Sequence, residues 1–175
     1  MVKEPYIFQV VGYQNSGKTT FVKKITEQLS SRGFSIVTIK HHGHGGRPAM
    51  VENKDSSEHI QAGAIASLVE GDGRIILQAE KQRWTMKEQI ELLRQLHPNF
   101  ILIEGHKSEK YPKAVILRTM DDKGLLKKLN NIQAVLYWDK EIAELKEQFP
   151  TFPFYEIQDQ AAVDSVCTLL VNKSN

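Results

Sequence analysis

The segment Gly12-Tyr13-Gln14-Asn15-Ser16-Gly17-Lys18-Thr19-Thr20 constrains the chain more than any other, because it satisfies G-x-x-x-x-G-K-[ST] at every fixed position. That loop works only where a strand delivers it and a helix begins inside it, and both flanks are present. Tyr6-Ile7-Phe8-Gln9-Val10-Val11 is rich in β-branched and aromatic residues, as a buried parallel strand requires. Phe21, Val22, Ile25 and Leu29 then recur at helical spacing, and Gly33 follows as a stop signal. Such an arrangement binds a nucleoside triphosphate. Gly12 and Gly17 allow successive backbone N–H groups to approach phosphate oxygens at the positive end of the helix dipole, with Asn15, Ser16 and Thr20 in the same loop. Lys18 is expected to reach the β- and γ-phosphates, and the Thr19 hydroxyl to ligate Mg²⁺.

Downstream, Ser35 to Ile39 reads as a second strand ending at Lys40, followed by a glycine-rich loop from His41 to Asn53. Asp55-Ser56-Ser57-Glu58 has capping-box character and opens a short helix through His59 and Ala62. Ala66 to Val69 and Ile75 to Ala79, separated by Gly71-Asp72-Gly73, predict a hairpin. Thr85-Met86-Lys87-Glu88 is a second capping box, opening a helix with Ile90, Leu93 and Leu96 on one face until Pro98. Phe100 to Ile103, Val115 to Leu117 and Ala134 to Tyr137 read as strands, and Ile142 to Phe149 and Ala161 to Val171 as helices. Strands alternating with helices after a phosphate loop predict an α/β fold of the P-loop NTPase type. Its sheet is mostly parallel, with helices on both faces and one β-hairpin excursion. At 175 residues, the chain has the length of a single nucleotide-binding domain, residues 1–175.

In a parallel sheet, ligands lie beyond the carboxyl ends of the strands, so residues directly after apolar runs are the functional candidates. Glu104-Gly105 follows Phe100 to Ile103, where a carboxylate would hold Mg²⁺ directly or through water and a glycine would leave room for phosphate; the alternative is a solvated glutamate at a strand end. Lys40-His41-His42 follows the second strand and would supply cations or a general acid near the γ-phosphate. His106-Lys107 comes immediately after Glu104-Gly105. Asp55 either approaches the metal or caps its helix. His41, His42 and His44 are crowded between glycines, but no cysteine or carboxylate stands at a recognisable zinc spacing beside them, and a polar loop is the simpler reading. No residue is assigned a catalytic role.

These segments taken in order carry a resemblance. The loop Gly-Tyr-x-x-x-Gly-Lys-Thr-Thr, Thr38-Ile39-Lys40-His41-His42, Lys54-Asp55-Ser56 leading to Ala62-Gly63-Ala64, and Leu102-Ile103-Glu104-Gly105-His106-Lys107 together resemble the molybdopterin-guanine dinucleotide biosynthesis protein B family, MobB, over residues 6 to 119. The resemblance implies a homodimeric GTP-binding protein, at most a slow GTPase. Such a protein assists a separate MobA-like guanylyltransferase that joins GMP to molybdopterin in making the molybdenum cofactor. By position, Gly12, Gly17, Lys18, Thr19 and Thr20 would hold the triphosphate, Glu104 and Gly105 would form the metal-side strand tip, and Lys40, His41, His42 and Asp55 would line the same cleft. Asn99 stands where the family pattern usually has an Asp, and the loop from Gly43 to Val51 is unlike that of other members.

Guanine specificity has no clear motif. Asn53-Lys54-Asp55 has the wrong spacing and place for the guanine-reading motif of regulatory GTPases, whereas Asp139, after the strand Ala134 to Tyr137, is either a base reader or a helix N-cap. A P-loop small-molecule kinase or an ATP-dependent ligase would use the same loop, with Lys40 or Lys107 on the transferring phosphoryl group. A nucleotide-gated interaction module that orders the 41–54 loop for a partner is a further reading. A net charge of +2, with basic residues scattered among acidic ones, points to no nucleic-acid or membrane surface. Cys167, the single cysteine, excludes an internal disulfide, and no run approaches the roughly 18 apolar residues of a membrane span. A cytoplasmic protein is expected.

Overall fold

The computed structural model describes residues 4–42 and 54–174, the side chains of Lys54 and Asp55 excepted. The chain divides into two compact units, Met1–Gly43 with Ile90–Asn175, and His44–Gln89.

The larger unit begins with β1 (Tyr6–Gly12), α1 (Lys18–Ser31) and β2 (Ile36–Lys40), and resumes with β5 (Phe100–Glu104), β6 (Lys113–Leu117), α4 (Gly124–Lys128) and β7 (Ile132–Tyr137). It ends with α5 (Leu145–Gln148), β8 (Phe154–Glu156) and α6 (Gln160–Ser174). Six strands form one sheet in the order β2-β5-β1-β6-β7-β8, and every pairing is parallel. Side chains alternate across a strand, so each face of this sheet has its own core. Phe8, Val10, Phe100, Leu102, Ala114 and Ile116 point to one side and pack with Phe21, Val22, Ile25 and Leu29 of α1 and with Val163, Val166 and Leu170 of α6. Val11, Val115, Leu117 and Val135 point to the other and pack with Leu125 and Leu126 of α4 and with Ile142 and Leu145. Cys167 is buried among the first set, and burial pushes its thiol pKa up to about 11, so it stays protonated and unreactive.

β1 sits between β5 and β6, so the chain first builds outward on one side of it and then on the other. That reversal opens a crevice at the carboxyl ends of the central strands. Register decides what lines the crevice. Val10, Glu104 and Lys40 fall in one row across β1, β5 and β2, and Gly12 pairs with Ile116 of β6.

The smaller unit holds α2 (Lys54–Gln61), the antiparallel hairpin β3 (Ala66–Gly71) with β4 (Arg74–Ala79), and the start of α3 (Met86–Arg94). Asp72 and Gly73 turn the hairpin with φ of 49° and 75°, the left-handed pair that matches strand twist. The capping box at Thr85 forms: the Thr85 N–H donates to Glu88 Oε2 at 2.9 Å, and the Thr85 hydroxyl donates to the same oxygen at 2.7 Å and accepts the Glu88 N–H at 3.3 Å.

Three elements depart from expectation. The helix expected over Ile142 to Phe149 is a 3₁₀ turn at Lys140–Glu144 followed by the single turn of α5. α4 and β8, of five and three residues, were not expected, because segments that short carry too few periodic positions to read. Glu104 closes β5 rather than following it. No helix among the described residues is long and apolar enough to cross a membrane.

Candidate functional site

The phosphate-loop glycines have steric reasons. A Cβ on Gly12 would lie 2.5 Å from Ser16 Oγ and 2.9 Å from the Ile116 carbonyl oxygen, so only glycine lets the loop turn back on itself against β6. Gly17 has φ +91°, and a Cβ there would also stand 3.0 Å from the Trp138 ring. Asn15 is left-handed as well, at φ 58°, which asparagine tolerates better than most residues. Lys18 folds back over the loop, donating to the Tyr13 carbonyl at 2.5 Å with Ser16 Oγ at 3.5 Å. Burial lowers its pKa from the ordinary lysine value; Glu104 opposes that shift, and Lys107 and Lys40 add to it. An ammonium so placed is short of negative charge and gains it from a phosphate.

Glu104 is only 8 % exposed and is the centre of a polar cluster at the strand tips. Its Oε1 accepts the Thr19 hydroxyl at 2.7 Å and lies 3.2 Å from Lys40 Nζ, which donates to Thr19 Oγ1 at 2.9 Å. A hydroxyl and a carboxylate are the hard oxygen donors that Mg²⁺ takes, and here they touch across 85 residues of sequence. Lys40 supplies positive charge at the same two oxygens. The tip beyond Glu104 is held by Gln9, fully buried in β1, whose Nε2 donates to the carbonyls of Gly105 at 3.2 Å and His106 at 3.0 Å. His41 and His106 pack ring against ring, with centroids 4.7 Å apart. Burial lowers the His106 pKa below the ordinary imidazole value, and the neighbouring His41 adds to it. Lys107 places its ammonium 4.3 Å from the centroid of the Tyr13 ring.

Lys18, Thr19, Lys40, His41, Glu104, Gly105 and Lys107 are thereby connected around the carboxyl ends of β1, β2 and β5. Thr20 and Asn15 turn instead to a separate cavity of about 560 Å³ beside the loop, lined by Gly17, Arg118, Thr119, Trp138 and Asp139. His42 is exposed just beyond His41. Asp55 lies in α2 with its side chain outside the described residues, as do His44 and the rest of the segment 43–53. Asp139 Oδ1 accepts the Glu141 N–H at 3.2 Å, the N-cap geometry, while also lining the cavity.

Three residues at the site were missed from sequence. Gln9 gave no signal, being one polar residue in an apolar strand. Arg118 and Trp138 stand directly after β6 and β7, so the strand-end rule that selected Glu104 selects them too when applied to every strand.

Residues 7–138 match the family model for MobB, molybdopterin guanine dinucleotide synthesis protein B. The chain belongs to the MobB family. It is 41 % identical over 169 residues to a Bacillus subtilis protein described as a probable molybdopterin-guanine dinucleotide biosynthesis adapter protein, covering 96 % of this chain and 95 % of that one. The crystal structure of Bacillus subtilis MobB superposes with a TM-score of 0.78 at 40 % identity, over 93 % of this chain and 96 % of the other. A MobB homologue from Bacillus stearothermophilus superposes with a TM-score of 0.69 at 30 % identity, over 96 % and 97 %.

The MobB match ends at Trp138, so it takes in both walls of the crevice. Asn99 sits at the opposite end of β5 from Glu104. Its Oδ1 accepts the Ser35 N–H at 2.7 Å and the Ser35 hydroxyl at 2.9 Å, tying the starts of β2 and β5 together. These bonds make Asn99 a strand-pairing residue.

Proposed function

We propose that this MobB chain binds Mg²⁺-GTP in the crevice above β1 and acts as an adapter in the guanylylation of molybdopterin, presenting nucleotide and pterin to a MobA-like guanylyltransferase. The single observation that carries the reading is the joining of the phosphate loop to Glu104 through Thr19, which puts a divalent-cation donor pair beside the phosphate lysine. Thr19 and Glu104 would hold the Mg²⁺, whose chemistry is to neutralise the β- and γ-phosphate oxygens. Lys40 would yield its place on those oxygens to the metal and turn to phosphate. The nucleoside would enter the cavity on its Thr20 and Asp139 side, with Asp139 facing the base.

Among the described residues, the carboxylate of the cluster, Glu104, is engaged by Thr19 and Lys40, which supports an adapter with slow hydrolysis at most. Burial, with His41 beside it, lowers the His106 pKa below the ordinary imidazole value, which disfavours its charged form. Adapter function also needs surface, and the hairpin supplies it: Leu68, Ile75 and Leu77 lie on one face of β3 and β4 and are 56 %, 52 % and 41 % exposed. We assign that face to a second copy of the chain in a homodimer, because three large apolar side chains left in water on a two-stranded sheet favour self-association. The protein works in the cytoplasm as one nucleotide-binding domain, 1–175, with the hairpin as its excursion.

Calorimetric titration with GTP and ATP, each with and without Mg²⁺, tests the reading. Preference for GTP that strengthens with Mg²⁺ is expected. Preference for ATP, with rapid turnover once an acceptor is added, would replace it by the kinase or ligase reading.

A further inference from the structure

The phosphate loop is held from outside by two residues that neither the motif nor the family match assigns. Trp138 Nε1 donates to the Ser16 carbonyl at 2.9 Å, and Arg118 Nη1 donates to the Asn15 carbonyl at 3.0 Å. These are consecutive peptide units in the middle of the loop. A trans peptide is planar, with its C=O and the following N–H pointing in opposite directions. Holding the Asn15 and Ser16 oxygens outward therefore directs the Ser16 and Gly17 N–H groups inward. The interior side is marked independently: the Ser16 N–H and the Lys18 ammonium both converge on the Tyr13 carbonyl. On the outer side, the Trp138 ring lies so close to Gly17 that a Cβ there would meet it at 3.0 Å.

We propose that Arg118 and Trp138 are positioning residues that preorganise the anion-binding N–H groups of the phosphate loop, and that their effect is on the triphosphate rather than on the base. Free, a glycine-bordered loop samples peptide orientations in which its carbonyls face inward and repel phosphate. Two braces from the tips of β6 and β7 remove those orientations before the ligand arrives, which raises affinity without touching it. The indole has one polar hydrogen, and it is committed to Ser16, so Trp138 has no donor left to read a base. This inference rests on the nucleotide reading above.

The test uses the full chain with Trp138→Phe, which keeps an aromatic wall and removes the donor, and Arg118→Met, which keeps the stem and removes the guanidinium. Affinities for Mg²⁺-GTP and for inorganic tripolyphosphate are measured by calorimetry, with the thermal midpoint as a control for folding. One hydrogen bond's worth of preorganisation predicts a loss of roughly fivefold in each variant, equal for the two ligands, with the midpoint little changed. The Ser16 amide proton resonance should also shift in ligand-free Arg118→Met, whose lost donor holds the carbonyl of that same peptide unit, which a residue that only packs against the fold would not cause. If GTP weakens while tripolyphosphate does not, Arg118 and Trp138 contact the nucleoside and the inference is overturned. Unchanged affinity for both ligands overturns it as well. Wild-type protein that binds neither ligand would refute the nucleotide reading and, with it, this one.

Discussion

Replacing Glu104 by Gln separates a metal-side carboxylate from a merely structural one. The amide keeps the length of the side chain and an oxygen to accept the Thr19 hydroxyl, now at 2.7 Å, so what is removed is the charge. The cost to folding is small: Lys40, the ion-pair partner at 3.2 Å, has a side chain 56 % exposed, and such a pair contributes at most about 1 kcal/mol. The cost to metal is larger. A carboxylate and a divalent ion about 4 Å apart at an effective dielectric of about 20 interact by about 8 kcal/mol, of which desolvation and partial exposure of the crevice leave about a quarter. About 2 kcal/mol is roughly a 30-fold loss of affinity. Titration of wild type and Glu104→Gln with GTP, in Mg²⁺ and in excess chelator, should therefore show that loss in Mg²⁺ and only a few-fold change without it. Equal losses under the two conditions would show that Glu104 orders the loop through Thr19 and takes no part in holding metal.

Lys18→Ala should abolish measurable triphosphate binding by calorimetry while leaving the thermal midpoint close to wild type, since Lys18 is half-buried on the loop and outside both cores. Lys113 is fully buried, and its ammonium donates to the carbonyls of Glu109 at 3.1 Å, Tyr111 at 2.7 Å and Asn130 at 2.8 Å; Lys113→Met orphans all three and should cost about 3 kcal/mol in urea unfolding. His106 has a folded pKa below its unfolded value, so its contribution to stability is present above about pH 6.5 and is lost as pH falls through the lower folded value. His106→Gln should accordingly flatten the loss of stability between neutral and mildly acid pH, measured by denaturant titration at each pH. Thr85→Ala removes the capping hydroxyl at the start of α3 and should destabilise by about 1 kcal/mol in the same assay.

Much of the site was legible because its chemistry is contiguous. Nine residues from Gly12 to Thr20 carry the phosphate loop, and the flanking apolar patterns identify β1 and α1 without reference to the rest of the chain. Glu104 and Lys40 were legible for a related reason: each follows an apolar run, with Lys107 three residues past Glu104, and a parallel sheet exposes ligands at its carboxyl edge. The capping box at Thr85 and the hairpin turn at Asp72-Gly73 are likewise local, decided by residues within four positions of one another.

Strand order and register were decided elsewhere. Only the insertion of β5 between β1 and β2 brings Lys40 into the same row as Glu104 and lets both meet Thr19. Nothing near Gln9 in sequence indicates that its amide will hold carbonyls 96 and 97 residues away. The braces on the phosphate loop reach it across 103 and 122 residues, and neither the arginine nor the tryptophan belongs to a local motif that names its partner. Local pattern determines what a segment becomes, because backbone geometry and side-chain period act over a few residues. Which segments then touch depends on how six strands share two apolar faces, and that is settled by burial over the whole sheet.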